Sequence, residues 1–341
     1  MKNTQSACRQ RTRSSSFVRG ETVRRVLTAV SMLLVAGTAT ASDPFPTKVV
    51  RMVIGFPAGG PVDILARVIT QRVAEGIGQQ VIIDSRPGAN GNIAAELVAR
   101  APADGHTLML VASSFATNHH LYPKLPVHPL RDFAPVSLVS AAPLILVAHP
   151  SVPAKNLKEL IALARARPGQ LDCSVAGRGS GGHLTVELLK SMAGIDVLVI
   201  PHKGGAAAVA DTIGGQVHLT VNNALAVLPH VRNGRLRALG TTSLQRIAVA
   251  PEIPTVAESG LPGFESSLWY GIVGPAKLPA QVTARLNGEV VRTIQLAAVR
   301  DRLTADGMEV IGSTPEAFGA FLQRESDKWG RVIGEARIRV D

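Results

Sequence analysis

The chain reads as an α/β protein of two doubly wound lobes, and three features of its 341 residues carry that reading. Short β-rich runs alternate with amphipathic helical stretches from residue 47 onward. The strand candidates are near-continuous apolar runs, as expected where helices cover both faces of a parallel sheet. There are too many of them for one small sheet. Hydrophobic residues make up 46% and charged residues 18%, so a core is readily built.

The elements follow in order. Val49–Phe56 (VVRMVIGF) reads as a strand, and Pro61–Gly76 as a helix with proline in its first turn, where no N–H is needed. Val81–Asp84 is the next strand, Asn92–Arg100 the next helix, and Thr107–Ala112 a third strand. Leu121–Pro143, rich in proline and poor in helix signals, reads as a connection. A second series begins with the strand Leu144–Ala148 and the helix Leu157–Arg167, closed by Pro168-Gly169. Strands then fall at Leu171–Val175, Val197–Ile200, Val217–Val221 and Leu236–Thr241, with helices at His183–Met192 and Ala206–Ile213. A strand at Leu268–Val273 and helices near Pro279–Leu296 and Pro315–Ile333 complete the chain. The expected division is residues 42–143 with 268–341 as one lobe and 144–267 as the other, the chain crossing twice.

The N-terminus reads as a cleavable export signal over residues 1–41. A basic stretch ends at Arg24-Arg25, an apolar run spans Val26–Gly37, and Ala39-Thr40-Ala41 has A-x-A spacing. Such a run is too short to cross about 30 Å of hydrocarbon, which needs roughly 20 residues. Of the formal net charge of +11, this segment carries +6, from seven basic residues against Glu21. The rest is spread without a basic run, and aromatics are 4%, too few for base-stacking platforms. Nucleic acid is therefore not the expected partner. Cys8 lies in the leader, so the mature chain keeps only Cys173, which excludes an internal disulfide and a cysteine metal cage. Cys173 reads as a small buried hydrophobe within a strand.

Ligands of open α/β sheets bind beyond the carboxyl ends of strands. Here those ends are small and polar: Phe56-Pro57-Ala58-Gly59-Gly60-Pro61-Val62-Asp63, Ser85 to Gly91, Ser113-Ser114, Gly177 to His183, His202-Lys203-Gly204-Gly205, and Asn222-Asn223. Several run straight into a helix, whose unpaired first-turn N–H groups and positive dipole end attract anions. Glycine lets the backbone approach a ligand closely. Three glycine-rich ends, in both series, point to an anionic ligand held between two lobes.

These segments resemble the Bug-type extracytoplasmic receptors of tripartite tricarboxylate transporters. The likeness runs through FPAGGPVD (Phe56–Asp63), RPGANGNIAAELVARAPADGHTLML (Arg86–Leu110), LYPKLP and RDFAPVSLV (Leu121–Val139), KELIALARARPGQL (Lys158–Leu171), GHLTVELLKSMAG (Gly182–Gly194), PHKGGAAAVADTIGGQV (Pro201–Val217), LRALGTTSLQR (Leu236–Arg246) and PTVAESGLPGFE (Pro254–Glu265). The resemblance implies a type II periplasmic-binding-protein fold closing on a small carboxylate, without catalysis, cofactor or metal. It implies ligand contacts at Phe56 and at the amides of Ala58, Gly59 and Gly60. Ser113 and Ser114 would supply hydroxyls. Gly181, Gly182 and His183 would answer from the second lobe, with Lys203, Gly204 and Asn222 nearby; Asp63 would cap its helix or meet a ligand amine. Two departures stand out: His202 replaces the tyrosine common before Lys203-Gly204, and Asn222-Asn223 replace a common acidic residue. An amine-bearing ligand thereby loses a partner, which favours an amine-free mono- or dicarboxylate. The expected protein is a periplasmic monomer passing its ligand to a membrane permease or a sensor kinase.

The rival is a nicotinamide-dependent enzyme, since Gly177-x-Gly179-x-x-Gly182 is a formal dinucleotide fingerprint. It lacks the acid expected at the end of the next strand, where Pro201-His202-Lys203 stand. Ser180 fails G-x-S-x-G because Arg178-Gly179 precede it. His119-His120, without a placed third ligand, read as solvated loop residues.

Overall fold

In the computed structural model, which describes residues 45–340, the chain opens on the expected alternation. The export signal predicted for residues 1–41 lies outside the described residues. β1 (Val50–Ile54), β2 (Val81–Ser85) and β3 (Thr107–Ala112) pair in parallel with β1 central. α1 (Pro61–Ile77) and α2 (Asn92–Ala99) connect them, and α3 (Ser114–Leu121) follows. α1 buries Val62, Leu65, Ala66, Ile69, Val73 and Ile77 along one face, and Gly78 ends it at φ 75°. A second parallel set follows the same logic. α4 (Leu157–Ala166), β5 (Asp172–Val175), α5 (Gly181–Ala193), β6 (Leu198–Pro201), α6 (Gly205–Ile213), β7 (Leu219–Asn223) and α7 (Ala224–Arg232) place β5 between β6 and β7.

The sheets are mixed rather than parallel throughout, and the expected connection over Leu121–Pro143 is mostly not a connection. β4 (Phe133–Ala148) is a strand of 16 residues. Its Phe133–Pro143 portion pairs antiparallel with β9 (Ser267–Pro275), which also pairs antiparallel with β3. Leu144–Ala148 then pair antiparallel with β7 and with β8 (Arg237–Thr241). The hydrogen-bonded path therefore runs β2-β1-β3-β9-β4-β7-β5-β6, with β8 and β10 (Glu309–Val310) on β4. Proline disguises β4 in the sequence, because Pro135 and Pro143 cannot donate to a ladder. The structure accommodates Pro135 with a register shift before Ser137. α8 (Ala280–Gln295), α9 (Ala297–Ala305) and α10 (Pro315–Glu335) finish the chain.

Alternation along the strands separates the cores. Met52, Ile54, Leu108 and Leu110 face α1 and α8, whereas Val53, Met109 and Val111 face α2 and α10. In the second half, Leu144, Leu146, Cys173 and Val221 share a cluster with α4 and α5, and Ile145 and Val147 face α7. Cys173 is buried within β5 as expected, and burial pushes its thiol pKa up.

His119 and His120 are not loop residues but occupy the last turn of α3. Their ring centroids lie 3.8 Å apart, and His128 stacks on His119 at 4.6 Å. His120 Nε2 donates to Ser326 O on α10 at 3.0 Å, and His119 Nε2 lies 3.2 Å from Ser326 Oγ. Burial, then His120 and His128, pushes the His119 pKa from 6.5 down to about 4. The folded state thus disfavours the proton that the unfolded chain binds. Its contribution is full above pH 6.5 and is lost as pH falls toward 4. Thermal melts should show a Tm falling across that window, with His119→Gln flattening the fall. Among carboxylates held low, Asp63, Asp84, Asp104 and Asp132 act below 3.8, and Glu187 and Glu258 act only from 4.5 downward, at the foot of that window.

Glu325, on α10, is buried and accepts from Trp269 Nε1 at 3.1 Å and Trp329 Nε1 at 2.9 Å through one oxygen. Glu325→Ala would leave two buried indole donors unpaired at about 1–3 kcal/mol each. Urea unfolding should show a loss of about 3 kcal/mol, and a loss under about 1 kcal/mol would mean that water satisfies both.

Candidate ligand site

The first glycine-rich turn sits where β1 meets α1. Ala58 and Gly59 are exposed, and Gly59 adopts φ 80°, a conformation glycine accepts freely. Asp63 is buried and turned back on its own helix. Its Oδ2 accepts from Gly59 N at 2.8 Å and from Arg67 Nε at 2.9 Å, which holds its carboxyl below the usual range. Asp63 thus shapes the turn through Oδ2, which a cation also engages, while its buried Oδ1 has no partner among the described residues. Among the described residues, the amides of Ala58, Val62 and Asp63 meet no acceptor. Phe56 packs over Gly91, and its carbonyl accepts from Ser85 Oγ at 2.8 Å.

An asparagine network fastens the next two strand ends. Asn118 Nδ2 donates to Asn90 O at 3.0 Å and to Asn92 Oδ1 at 2.6 Å, and Ser114 Oγ donates to Asn90 O at 3.2 Å. Ser114 is therefore committed within the protein. Ser113 Oγ has no protein partner among the described residues and faces the second half of the fold. A methyl group built on Gly181 would lie 3.7 Å from Ser113 Oγ and 2.5 Å from Leu268 Cδ2. Only glycine at 181 permits that approach.

In the second half, Ser180 caps α5 by accepting from His183 N at 3.3 Å. His183 points inward: its Nδ1 accepts from Gly179 N at 2.9 Å, leaving the proton on Nε2, 3.7 Å from Glu187 Oε1. The ring braces the turn at Gly179, and the amides of Gly181 and Gly182 remain without acceptors among the described residues. Gly204 N donates to Ala176 O at 2.9 Å, while Lys203 beside it is exposed. Asn222 is tied by its Nδ2 to Gly205 O at 3.1 Å and by its Oδ1 to Asn223 N at 2.9 Å. His202 lies 3.5 Å from Asp211, with its buried Nε2 unpartnered.

The two halves meet around a cavity of about 10 Å³ lined by Ser113, Ser114, Thr117, Gly179, Gly181, Leu184, Ser266, Ser267 and Trp329. That is room for roughly one water. Ala58–Gly60, Lys203, Gly204 and Asn222 do not line it. Thr117, Ser266, Ser267 and Trp329 escaped the sequence reading. The serines signal their position only once β9 is known to cross, and Trp329 reads as ordinary helix core. A larger groove of about 610 Å³ lies between Ser243–Val249 and Gln295–Val310. It contains none of the predicted residues and no glycine-rich strand end. The glycine-rich ends are accordingly the stronger candidate, despite the smaller volume.

Gly177 and Gly179 do lie between β5 and α5, and Gly182 in the first turn of α5, as a dinucleotide fingerprint requires. Yet Gly179 N is taken by His183, and the chain after β6 offers His202 and Lys203 in place of an acid. Among the described residues no cluster of three or more His, Cys, Asp or Glu is arranged to hold a metal ion, and no helix is long and apolar enough to cross a membrane.

The sequence pattern of the "tripartite tricarboxylate transporter family receptor", TctC, matches residues 65–338. Protein BugT of Bordetella pertussis is 35% identical over 321 residues, 93% of this chain and 98% of that protein. The solved structure of R. palustris Rpa4515 with adipate has a TM-score of 0.75 at 35% identity, covering 86% of this chain and 99% of the other. MatC (Rpa3494) from Rhodopseudomonas palustris with bound malate has a TM-score of 0.72 at 33% identity, covering 85% and 100%. The fold is thus the mixed α/β fold of periplasmic binding proteins. The chain belongs to the TctC family of tripartite tricarboxylate transporter receptors, the periplasmic solute-binding proteins of the Bug type.

Proposed function

We propose that this receptor captures an amine-free mono- or dicarboxylate between two lobes, residues 42–143 with 268–341 and residues 144–267, and catalyses no reaction. The observation that carries this reading is the set of acceptor-free amides at the starts of α1 and α5: Ala58, Val62 and Asp63 on one side, Gly181 and Gly182 on the other. Hydrogen bonds to a charged group contribute about 1.5–3 kcal/mol each. Micromolar binding needs about 8 kcal/mol net, so four or five such bonds suffice. The hydroxyl of Ser113 adds a donor, and the exposed Lys203 supplies positive charge at the rim. Against an amine, the charge of Asp63 is already paired with Arg67 through Oδ2, its Oδ1 is buried, and amide side chains stand at Asn222 and Asn223. The adipate and malate held by the two relatives are likewise dicarboxylates without an amine. The filled receptor, acting as a monomer exported to the periplasm, hands its solute to a membrane permease for uptake or to a sensor kinase for signalling.

Calorimetry on residues 42–341 tests the ligand class. Succinate, malate or adipate should bind, while aspartate and glutamate bind at least about tenfold more weakly; the reverse preference would refute the amine-free reading. Formation of any product from the bound acid would refute the non-catalytic one.

Gly60 has extended backbone at φ −79°, and a Cβ there would meet only Pro57 O at 3.3 Å. Gly60→Val therefore keeps the fold while its branches cover the first-turn amides. Affinity should fall about 100-fold, equivalent to losing roughly two charged hydrogen bonds. Unchanged affinity in the folded variant would remove that turn from the site.

A further inference from the structure

The chain holds two tryptophans, and Glu325 Oε2 accepts from both, at 3.1 Å from Trp269 and 2.9 Å from Trp329. The other carboxylate oxygen pairs with Lys328, whose Nζ lies 4.7 Å from the Trp329 ring centroid. The indole of Trp329 is thus fixed at its N–H and along its face. Trp269 stands on β9, which pairs with the part of β4 that precedes its crossing into the second half. Trp329 stands on α10, 3% exposed, and walls the cavity between Ser113 and Gly181.

What covers Trp329 comes from both halves. Leu121, Val332 and Ile333 belong to its own side, whereas Leu184 and the partly buried Leu188 come from α5. Polar and backbone contacts follow the same seam. Ser191 Oγ on α5 donates to Glu335 Oε2 on α10 at 3.2 Å. A methyl on Gly179 would lie 3.1 Å from Leu121 and 3.2 Å from Val340, so the turn before α5 rests directly on the C-terminal segment. Parting the halves at this seam would return the Trp329 face, Leu184 and Leu188 to water, which opposes opening. The first turn of α5, which carries the free amides of Gly181 and Gly182, moves with that contact.

We propose that Trp329, positioned by Glu325, is the closure seat of the receptor: α5 lands on it as the cleft shuts, and its truncation depopulates the closed form. This rests on the reading that two lobes close on a ligand, but its test needs none. Ser191→Cys with Glu335→Cys in the mature chain places two thiols where the native side chains touch, and the buried Cys173 does not compete. Bridging by dibromobimane, which fluoresces on joining two thiols, then reports closure without ligand. In the Trp329→Ala background bridging should slow by about tenfold, and in Trp329→Phe, which keeps an aromatic wall, by no more than about threefold. Leu188→Glu alters only the α5 side and should slow bridging to a similar extent, which covers the case of Trp329→Ala failing to fold. Equal rates in Leu188→Glu and its parent, or no bridging in the parent, would overturn the proposal. A failure to bind carboxylates would leave these rates unchanged and would count only against the ligand assignment.

Discussion

The antiparallel pair β4–β9 is the constraint on which the architecture depends, because it is the strand pairing through which the first sheet half continues into the second. Its register brings Pro143 opposite Ser267, at the point where β4 leaves β9 and joins β7 and β8. Proline there offers no N–H, so the ladder is weakest at the crossing itself. On either side the pair is clamped. Gly271 lies so close to Phe318 that a methyl would come within 2.2 Å of its ring, and Trp269 is completely buried with its N–H on Glu325. A stiff strand pair with one break in its hydrogen bonding keeps two groups of loops facing each other while permitting bending between them.

Everything in the site follows from what those facing loops expose. Asp63, Ser180, His183, Asn222 and Asn223 lie at strand ends or in the first turn of the helices that follow, and each bonds the backbone around it. Asp63 and His183 hold glycine amides in place, Ser180 and Asn223 cap helices, and Asn222 ties α6 to β7. The polar side chains thus serve as formwork, and the surface left for a ligand is main-chain N–H. Such groups are fixed by secondary structure and lose no rotamer freedom on binding, so an anion bound there would be held at low entropic cost.

Much of this was legible from residue types. Both βαβ runs and the glycine-rich ends could be placed because apolar strands, Pro61 in a first helical turn and clustered glycines have direct local causes. Leu144–Ala148 of β4 reads as a strand, but its Phe133–Pro143 part does not, because Pro135 and Pro143 argue against a strand unless bulges and a crossing are foreseen. α3 was missed because Ser114–Leu121 (SFATNHHL) has little amphipathic contrast: Phe115 and Leu121 are buried, and so are Thr117 and Asn118, which bond inward. The inward turn of His183 was equally invisible, since its partner, the amide of Gly179, is identified only by the geometry of the turn.

Recognition by backbone amides fixes where a carboxylate sits but leaves its substituent unread, because an N–H group sees only oxygen. Discrimination must then come from the walls that close over the rest of the molecule. Around the cavity between the halves the candidate walls are few and mostly small: Ser113, Thr117, Ser266 and Ser267, with Leu184 and Trp329 as the bulky members. Because Trp329 is anchored through Glu325 on the helix that packs against α5, the proposed closure seat is also a wall of the cavity. On the proposal that α5 seats on Trp329, ligand size and closure are coupled at one indole: a solute too long for the space beside it would hold Leu184 away from the ring and forfeit the apolar contact that completes capture.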